Sequence, residues 1–337
     1  MAKNKKLSQR GIVRLTTDAY DAFTGWDWFV DPSTHLSIGS AKEGFLSNNG
    51  FKVHPIDPDE PEPWTKGEYF CDPDTMIVAM NSSSYDISYA SFLDWDKDNY
   101  LSSDRRMARL STKYRAGAGM LSGLPKVDYD HNRPMQLDIR LDLSLYYGKR
   151  FIEANVTITN KYEEAADVLF IYQDGAFMWM PDQNQDNVIP VFVNDNGARI
   201  EANDRFQVAF TGTDRLITGT YHPGRGIFSG IYTDNQSAHI GMLPYYLLFT
   251  ENAGDSIDLK FTDDRPRSME EIIVSMYANK EEYDKNAKQY KIRSVSFPVK
   301  QLQPGQTVSL RFFLIGFETD ANLSLETLAA EIIRQLP

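Results

Sequence analysis

Between Met135 and Leu145 the chain alternates without a break. Met135, Leu137, Ile139, Leu141, Leu143 and Leu145 are apolar, and Gln136, Asp138, Arg140, Asp142 and Ser144 between them are polar. A period of two over such a run describes a half-buried strand with one wet face, since a helix would scatter those apolar side chains around its surface. Tyr146-Tyr147-Gly148-Lys149 follows as a turn, and then Ile152, Ala154, Val156 and Ile158 alternate with Glu153, Asn155, Thr157 and Thr159. Two alternating runs around a short glycine-containing link predict an antiparallel hairpin.

The rest of the chain extends the same pattern. Val168-Leu169-Phe170-Ile171-Tyr172 is continuously apolar, as suits a strand covered on both faces. Further strands are expected over 188–193, 206–211, 227–232, 257–262, 293–299 and 306–317. The last two flank Gln303-Pro304-Gly305-Gln306, which supplies a type II turn. Helices are expected over 279–290, where Asn279 and Glu282 make a capping pair, and over 324–336, where Leu325, Leu328, Ala329, Ile332, Ile333 and Leu336 recur at helical spacing. The fold class expected is therefore mainly β, a large antiparallel β-sandwich with a short helix near 279–290 and a C-terminal helix. Residues 131–337 would form that sandwich. Residues 1–130 are turn-rich and form either an irregular β layer packing on it or a separate small domain, and the lack of a Gly/Ser linker favours the layer.

Composition narrows the function classes. A hydrophobic share of 42% against 24% charged residues excludes intrinsic disorder. With 35 Lys+Arg and 47 Asp+Glu the net charge is −12, which argues against a nucleic-acid partner. Lys3, Lys5, Lys6, Arg10 and Arg14 are the exception. They read as a solubilising arm, or as an arm that docks on an acidic neighbour such as another copy of the chain, making a homo-oligomer. No apolar segment follows them as in a secretory signal, and no run reaches the roughly 18 apolar residues of a membrane span. The one cysteine, Cys71, has no internal disulfide partner. Together these features lead to the expectation of a cytoplasmic protein with no membrane partner, a trimmed secreted chain remaining open.

Short signatures are absent. There is no phosphate loop, no G-x-G-x-x-G after a strand, no G-x-S-x-G, no H-E-x-x-H and no C-x-x-C. The most specific local pattern is Asp94-Trp95-Asp96-Lys97-Asp98-Asn99-Tyr100-Leu101-Ser102. Asp94, Asp96 and Asp98 at alternate positions, with Leu101 in eighth place, resemble a calcium loop in which carboxylates converge on one ion. Asn99 replaces the usual glycine and Arg105 the usual twelfth-place acid, so a solvated acidic turn explains the same residues. Calcium is thus the one cofactor the sequence raises.

Aromatic residues stand beside polar ones at Trp26, Trp28 and Trp179. A ring stacked on the C–H face of a sugar, with neighbouring carboxylates and amides taking its hydroxyls, is one use for that pairing; core filling is the other. Asp174, His222, His239 and Glu251 lie at the ends of candidate strands. A histidine and a carboxylate brought together there would serve as acid and base.

Two segments carry a family resemblance. Val156-Thr157-Ile158-Thr159-Asn160 and Leu302-Gln303-Pro304-Gly305-Gln306-Thr307 resemble strands of the galactose mutarotase-like β-supersandwich, over about 135–317. The resemblance implies a saccharide ligand and a carbohydrate-active or carbohydrate-binding protein, with acid–base chemistry of the epimerase, lyase or hydrolase type. It also implies a catalytic histidine in an apolar-aromatic strand and a late glutamate, for which His222 or His239 and Glu251 are the matching positions. The same strands also resemble a double jelly-roll viral capsid protein. That would imply a structural assembly protein, with the basic arm and the acidic remainder in keeping.

Overall fold

A computed structural model describes residues 11–17, 24–34, 36–43, 46–53, 68–81, 85–89, 91–94, 99–117, 135–179, 189–194, 200–202, 208–210, 216–244 and 291–337. They form two ten-stranded antiparallel sheets packed face to face. The first sheet runs β1 (Val13–Thr17), β2 (Thr24–Asp31), β3 (Leu36–Glu43), β4 (Leu46–Val53), β5 (Glu68–Asn81), β12 (Ala166–Trp179), β19 (Lys291–Leu302), β18 (His239–Pro244) and β15 (Val208–Phe210), with β6 (Tyr85–Tyr89) also on β5. The second runs β14 (Ile200–Ala202), β13 (Ile189–Asn194), β16 (Leu216–His222), β17 (Ile227–Tyr232), β20 (Thr307–Glu318), β11 (Phe151–Asn160), β10 (Met135–Tyr146), β9 (Met107–Gly117) and β7 (Ser91–Asp94), with β8 (Tyr100–Leu101) also on β9.

The alternation read in the sequence is what packs the sheets. β10 and β11 pair with Leu141 opposite Val156 and Leu143 opposite Ala154, and this apolar set is buried. It meets Phe170 and Tyr172 of β12 and Phe297 of β19 across the sandwich. The rings of Tyr172 and Phe312 lie 4.6 Å apart there. Ile171, on the other side of the β12 pleat, is also buried, so this strand is covered on both faces as its unbroken apolar run predicts. Gly316 of β20 sets the spacing locally: a Cβ on it would come within 2.1 Å of Val53 Cγ2.

The outward face of the second sheet is covered in part by α1 (Leu325–Arg334). Ser324 caps it, its Oγ accepting from the Thr327 N–H at 3.2 Å, as expected where a helix leaves orphan N–H groups. Leu328, Ala329 and Ile332 pack on Phe228, Phe313 and Phe317. The Phe228 ring covers Gly219 and Gly230, where an added Cβ would meet it at 2.5 and 2.8 Å.

The strands expected over 188–193, 206–211, 227–232, 293–299 and 306–317 are present, the second reduced to Val208–Phe210. Gln303–Gln306 is a turn closed by Gln306 N–H on the Gln303 carbonyl, with Gly305 at φ +74°. The strand expected over 257–262 and the helix over 279–290 lie outside the described residues, as does the arm through Arg10. The described strands before residue 130 are members of these same two sheets. Two jelly rolls side by side would need two sandwiches, whereas the described strands form one. Among the described residues no helix is long and apolar enough to cross a membrane.

Candidate functional site

The residues named from sequence divide between the sheets. His222 ends β16 in the second sheet. Asp174 is on β12, directly opposite Arg293 of β19, and His239 opens β18, opposite Ser296. The His239–Ser296–Ile171 row is three residues from the Asp174–Arg293 row and alternates with the core row of Ile240, Val295 and Tyr172. Trp26 and Trp28 sit on β2, opposite Ala41 and Gly39, and Trp179 on β12, opposite Glu68. In sheet order β2 is separated from β12 by β3, β4 and β5, about 19 Å at roughly 4.8 Å per strand. Asp94 ends β7, paired with Lys113. Glu251, Asp96 and Asp98 lie outside the described residues.

His222 belongs to a group the sequence did not single out. Along β16, Ile217 and Tyr221 point to the helix-covered side, which leaves Thr218, Thr220 and His222 facing the sandwich interior. On β17 the same alternation turns Ile227, Ser229 and Ile231 inward, and Ser229 stands opposite Thr220. Thr218, Thr220 and Ser229 are fully buried and His222 is 6% exposed. A polar patch thus occupies interior surface where β10 presents leucine and isoleucine. Buried polar groups are costly unless bonded. Thr220, His222 and Ser229 have partners, while Thr218 Oγ1 is buried without one.

The turn beyond His222 holds that end in place. Gly226 N–H donates to the His222 carbonyl at 2.9 Å, Thr319 N–H to the Gly226 carbonyl at 2.7 Å, and Asn322 N–H to the Pro223 carbonyl at 2.7 Å. Gly226 has φ +67°, and a Cβ there would strike the Thr319 carbonyl oxygen at 2.1 Å, so only glycine lets the two segments close. Gly224 lies over the imidazole, its added Cβ falling 3.3 Å from His222 Cε1. Next to His222, Tyr221 Oη accepts from the Leu323 N–H at 3.1 Å, and burial raises its phenol above the ordinary value.

β12 and β20 run upward together from the end where Asn160 Nδ2 donates to the Leu302 carbonyl at 2.8 Å. Past the Tyr172–Phe312 ring contact, β12 continues to Asp174, and β20 to Gly316 and Glu318, whose rows lead through Ser229 and Ile227 to Thr220 and His222. His222 and Asp174 accordingly lie toward one end of the sandwich, on facing sheets. The signal that could have found the patch is Leu216-Ile217-Thr218-Gly219-Thr220-Tyr221-His222, which alternates apolar with polar on a strand whose partners leave neither face open.

In the acidic loop, Ser102 Oγ donates to Asp104 Oδ1 at 2.6 Å and accepts from the Arg106 and Met107 N–H groups, each at 3.0 Å. The Ser102 hydroxyl, with the Arg106 N–H, holds the Asp104 carboxyl below its ordinary value. These two side chains thus stabilise their own turn.

The sequence matches no family model and no curated protein. Among solved structures the chain is similar to a galactose mutarotase-related enzyme from Lactobacillus acidophilus, with 9% identity, coverage of 93% of this chain and 100% of that one, and a TM-score of 0.39. It is also similar to the GH36 α-galactosidase AgaB from Geobacillus stearothermophilus, at 9% identity, 90% and 41% coverage and a TM-score of 0.42. An α-galactosidase from Lactobacillus brevis gives 10% identity, 97% and 42% coverage and a TM-score of 0.39. This chain thus spans about two fifths of each galactosidase. All three are low-scoring likenesses of chain layout.

Proposed function

We propose that the protein is a carbohydrate-active β-sandwich whose proton transfer takes place at the end of the sandwich marked by His222. The observation that supports it is the inward patch of Thr218, Thr220, Ser229 and His222, three hydroxyls and an imidazole gathered in a sandwich interior, with Thr218 Oγ1 left without a hydrogen-bond partner. In this scheme His222 exchanges the proton at a sugar carbon or oxygen and Asp174 supplies the opposing carboxylate, an imidazole being the side chain suited to transfer near neutrality. Trp179, on the same strand as Asp174, is the stacking platform, with Trp26 and Trp28 as alternatives farther along the sheet. His239 and Glu251 are the remaining acid–base candidates.

The test is turnover against a panel covering aldose anomerisation, aryl-glycoside hydrolysis and uronide elimination. The wild type is expected to accelerate one of the three. His222→Gln or Asp174→Asn should lower that rate by about 10²-fold or more without lowering the melting temperature. Full turnover in the His222, His239, Asp174 and Glu251 variants would remove all four from these roles, and no acceleration by the wild type would remove the activity itself. A calcium ion at Asp94, Asp96 and Asp98 is a separate proposal. Millimolar calcium should raise the melting temperature by mass action, and an unmoved midpoint would retire it.

A further inference from the structure

On the outward face of the second sheet one row of side chains crosses four strands. Tyr100 of β8 stands opposite Arg109 of β9, Arg109 opposite Ser144 of β10, and Ser144 opposite Glu153 of β11. Around this row the charges are paired. Asp142 accepts from Arg140 Nε at 2.9 Å and from Ser111 Oγ. Glu153 accepts from Tyr146 Oη at 2.7 Å, and Arg311 donates to Asp234 at 2.6 Å.

Arg109 differs from these. Its Nε is shut off from water with no hydrogen-bond acceptor, and among the described residues no carboxylate pairs with its guanidinium. Its guanidinium carbon lies 5.9 Å from the centroid of the Tyr100 ring. Tyr100 is 47% exposed, the one large apolar side chain among the described residues that is open to solvent. At the same end Arg106 lies over the Tyr147 ring at 4.7 Å, which adds positive potential to a chain of net charge −12.

The planar fork of the guanidinium matches a carboxylate, whose charge would meet a cation that no described carboxylate pairs with. The exposed ring beside it offers a π face to the C–H edge of a pyranose. Farther along the row Ser144 is buried and Glu153 is held by Tyr146 Oη, which leaves Tyr100 and Arg109 as the open end. We propose that the Tyr100 end of this row binds a uronate unit of an acidic oligosaccharide, with the carboxylate on Arg109 and the sugar face on Tyr100. The inference rests on the carbohydrate reading of the chain. It concerns a different face from the His222 end and is read by binding alone, so the two fail separately.

Calorimetric titration of the full chain at low salt with trigalacturonate, and with neutral maltotriose for comparison, tests it. The acidic trimer should bind, and the neutral one should bind about tenfold more weakly or not at all. Arg109→Gln and Tyr100→Ala should each weaken the acidic trimer by about tenfold with unchanged melting temperature. Arg109→Lys keeps the charge and loses the fork, and should also bind more weakly. The proposal is overturned by no binding of trigalacturonate, by equal binding of maltotriose, or by wild-type affinity in Arg109→Lys. Triglutamate peptide binding as tightly as trigalacturonate would also overturn it, because the row would then recognise charge without the sugar.

Discussion

The buried carboxylate of Asp31 accepts a 2.7 Å hydrogen bond from the backbone N–H of Gly148. Asp31 closes β2 in the first sheet, and Gly148 sits in the β10–β11 turn of the second, so this bond ties the two sheets at one corner. The other carboxylate oxygen accepts from Ser33 N–H at 2.9 Å and Ser33 Oγ at 2.6 Å. Asp31→Ala leaves all three donors without an acceptor and is expected to cost about 2–4 kcal/mol. Asp31→Asn keeps part of the acceptor capacity and should cost less. Urea unfolding midpoints measure both, and a midpoint for Asp31→Ala within error of the wild type would show that the tie contributes nothing.

Gly316 and Val53 form a second link between the sheets. A Cβ at 316 would overlap Val53 Cγ2, so Gly316→Ala should destabilise by about 1–3 kcal/mol through overpacking. Val53→Ala opens the space that the new methyl needs. The double variant should therefore be more stable than the sum of the single costs predicts, with a coupling of roughly 0.5 kcal/mol or more. Strict additivity would mean that the sheets do not meet there.

Tyr146 gives a pH dependence of known sign. Burial first, and then the hydrogen bond and charge of Glu153, push its phenol up from 10.0 to about 12. Below pH 10 the phenol is neutral in both folded and unfolded chains, and its stabilising contribution is fully present. Between about pH 10 and 12 the unfolded chain ionises first, so that contribution is lost as pH rises. The ring is partly exposed and the effect correspondingly small. Tyr146→Phe should flatten the alkaline fall in the unfolding midpoint across that window, and an identical fall in both proteins would remove Tyr146 as its source.

The C-terminal helix depends on its cap. Ser324→Ala removes the acceptor for the Thr327 N–H and should cost about 1 kcal/mol. The loss should appear as faster amide exchange along Leu325–Arg334, with β10 and β11 unaffected. Equal slowing or quickening in helix and strands would place the effect in global stability.

Particular residues show how much the sequence reveals. β10 and β11 were legible because each carries one uninterrupted alternation, which a pleated strand converts directly into a buried and a wet face. The helix at the C-terminus was legible from the spacing of Leu325, Leu328, Ala329, Ile332 and Ile333 for the same kind of reason. The polar patch on β16 was not. Thr218, Thr220 and His222 alternate as regularly as any wet face, but α1 packs on their apolar neighbours and the first sheet covers the threonines.

The order of side chains along the chain therefore determined β10, β11, β12 and the strands flanking Gly305, the hairpin turn at Gly148, the glycine-bearing turn at Gly305 and the β character of the whole, while β1–β9, β14, β16 and β18 were not legible as strands in it. Tertiary structure alone decided that the polar face of β16 is inside, which charges find partners, and that Asp31 meets Gly148. The alternation of a strand is a local property of the backbone, fixed at a period of two. Contacts between residues 117 positions apart depend on how the sheets stack, and stacking is settled by the summed burial of many side chains together.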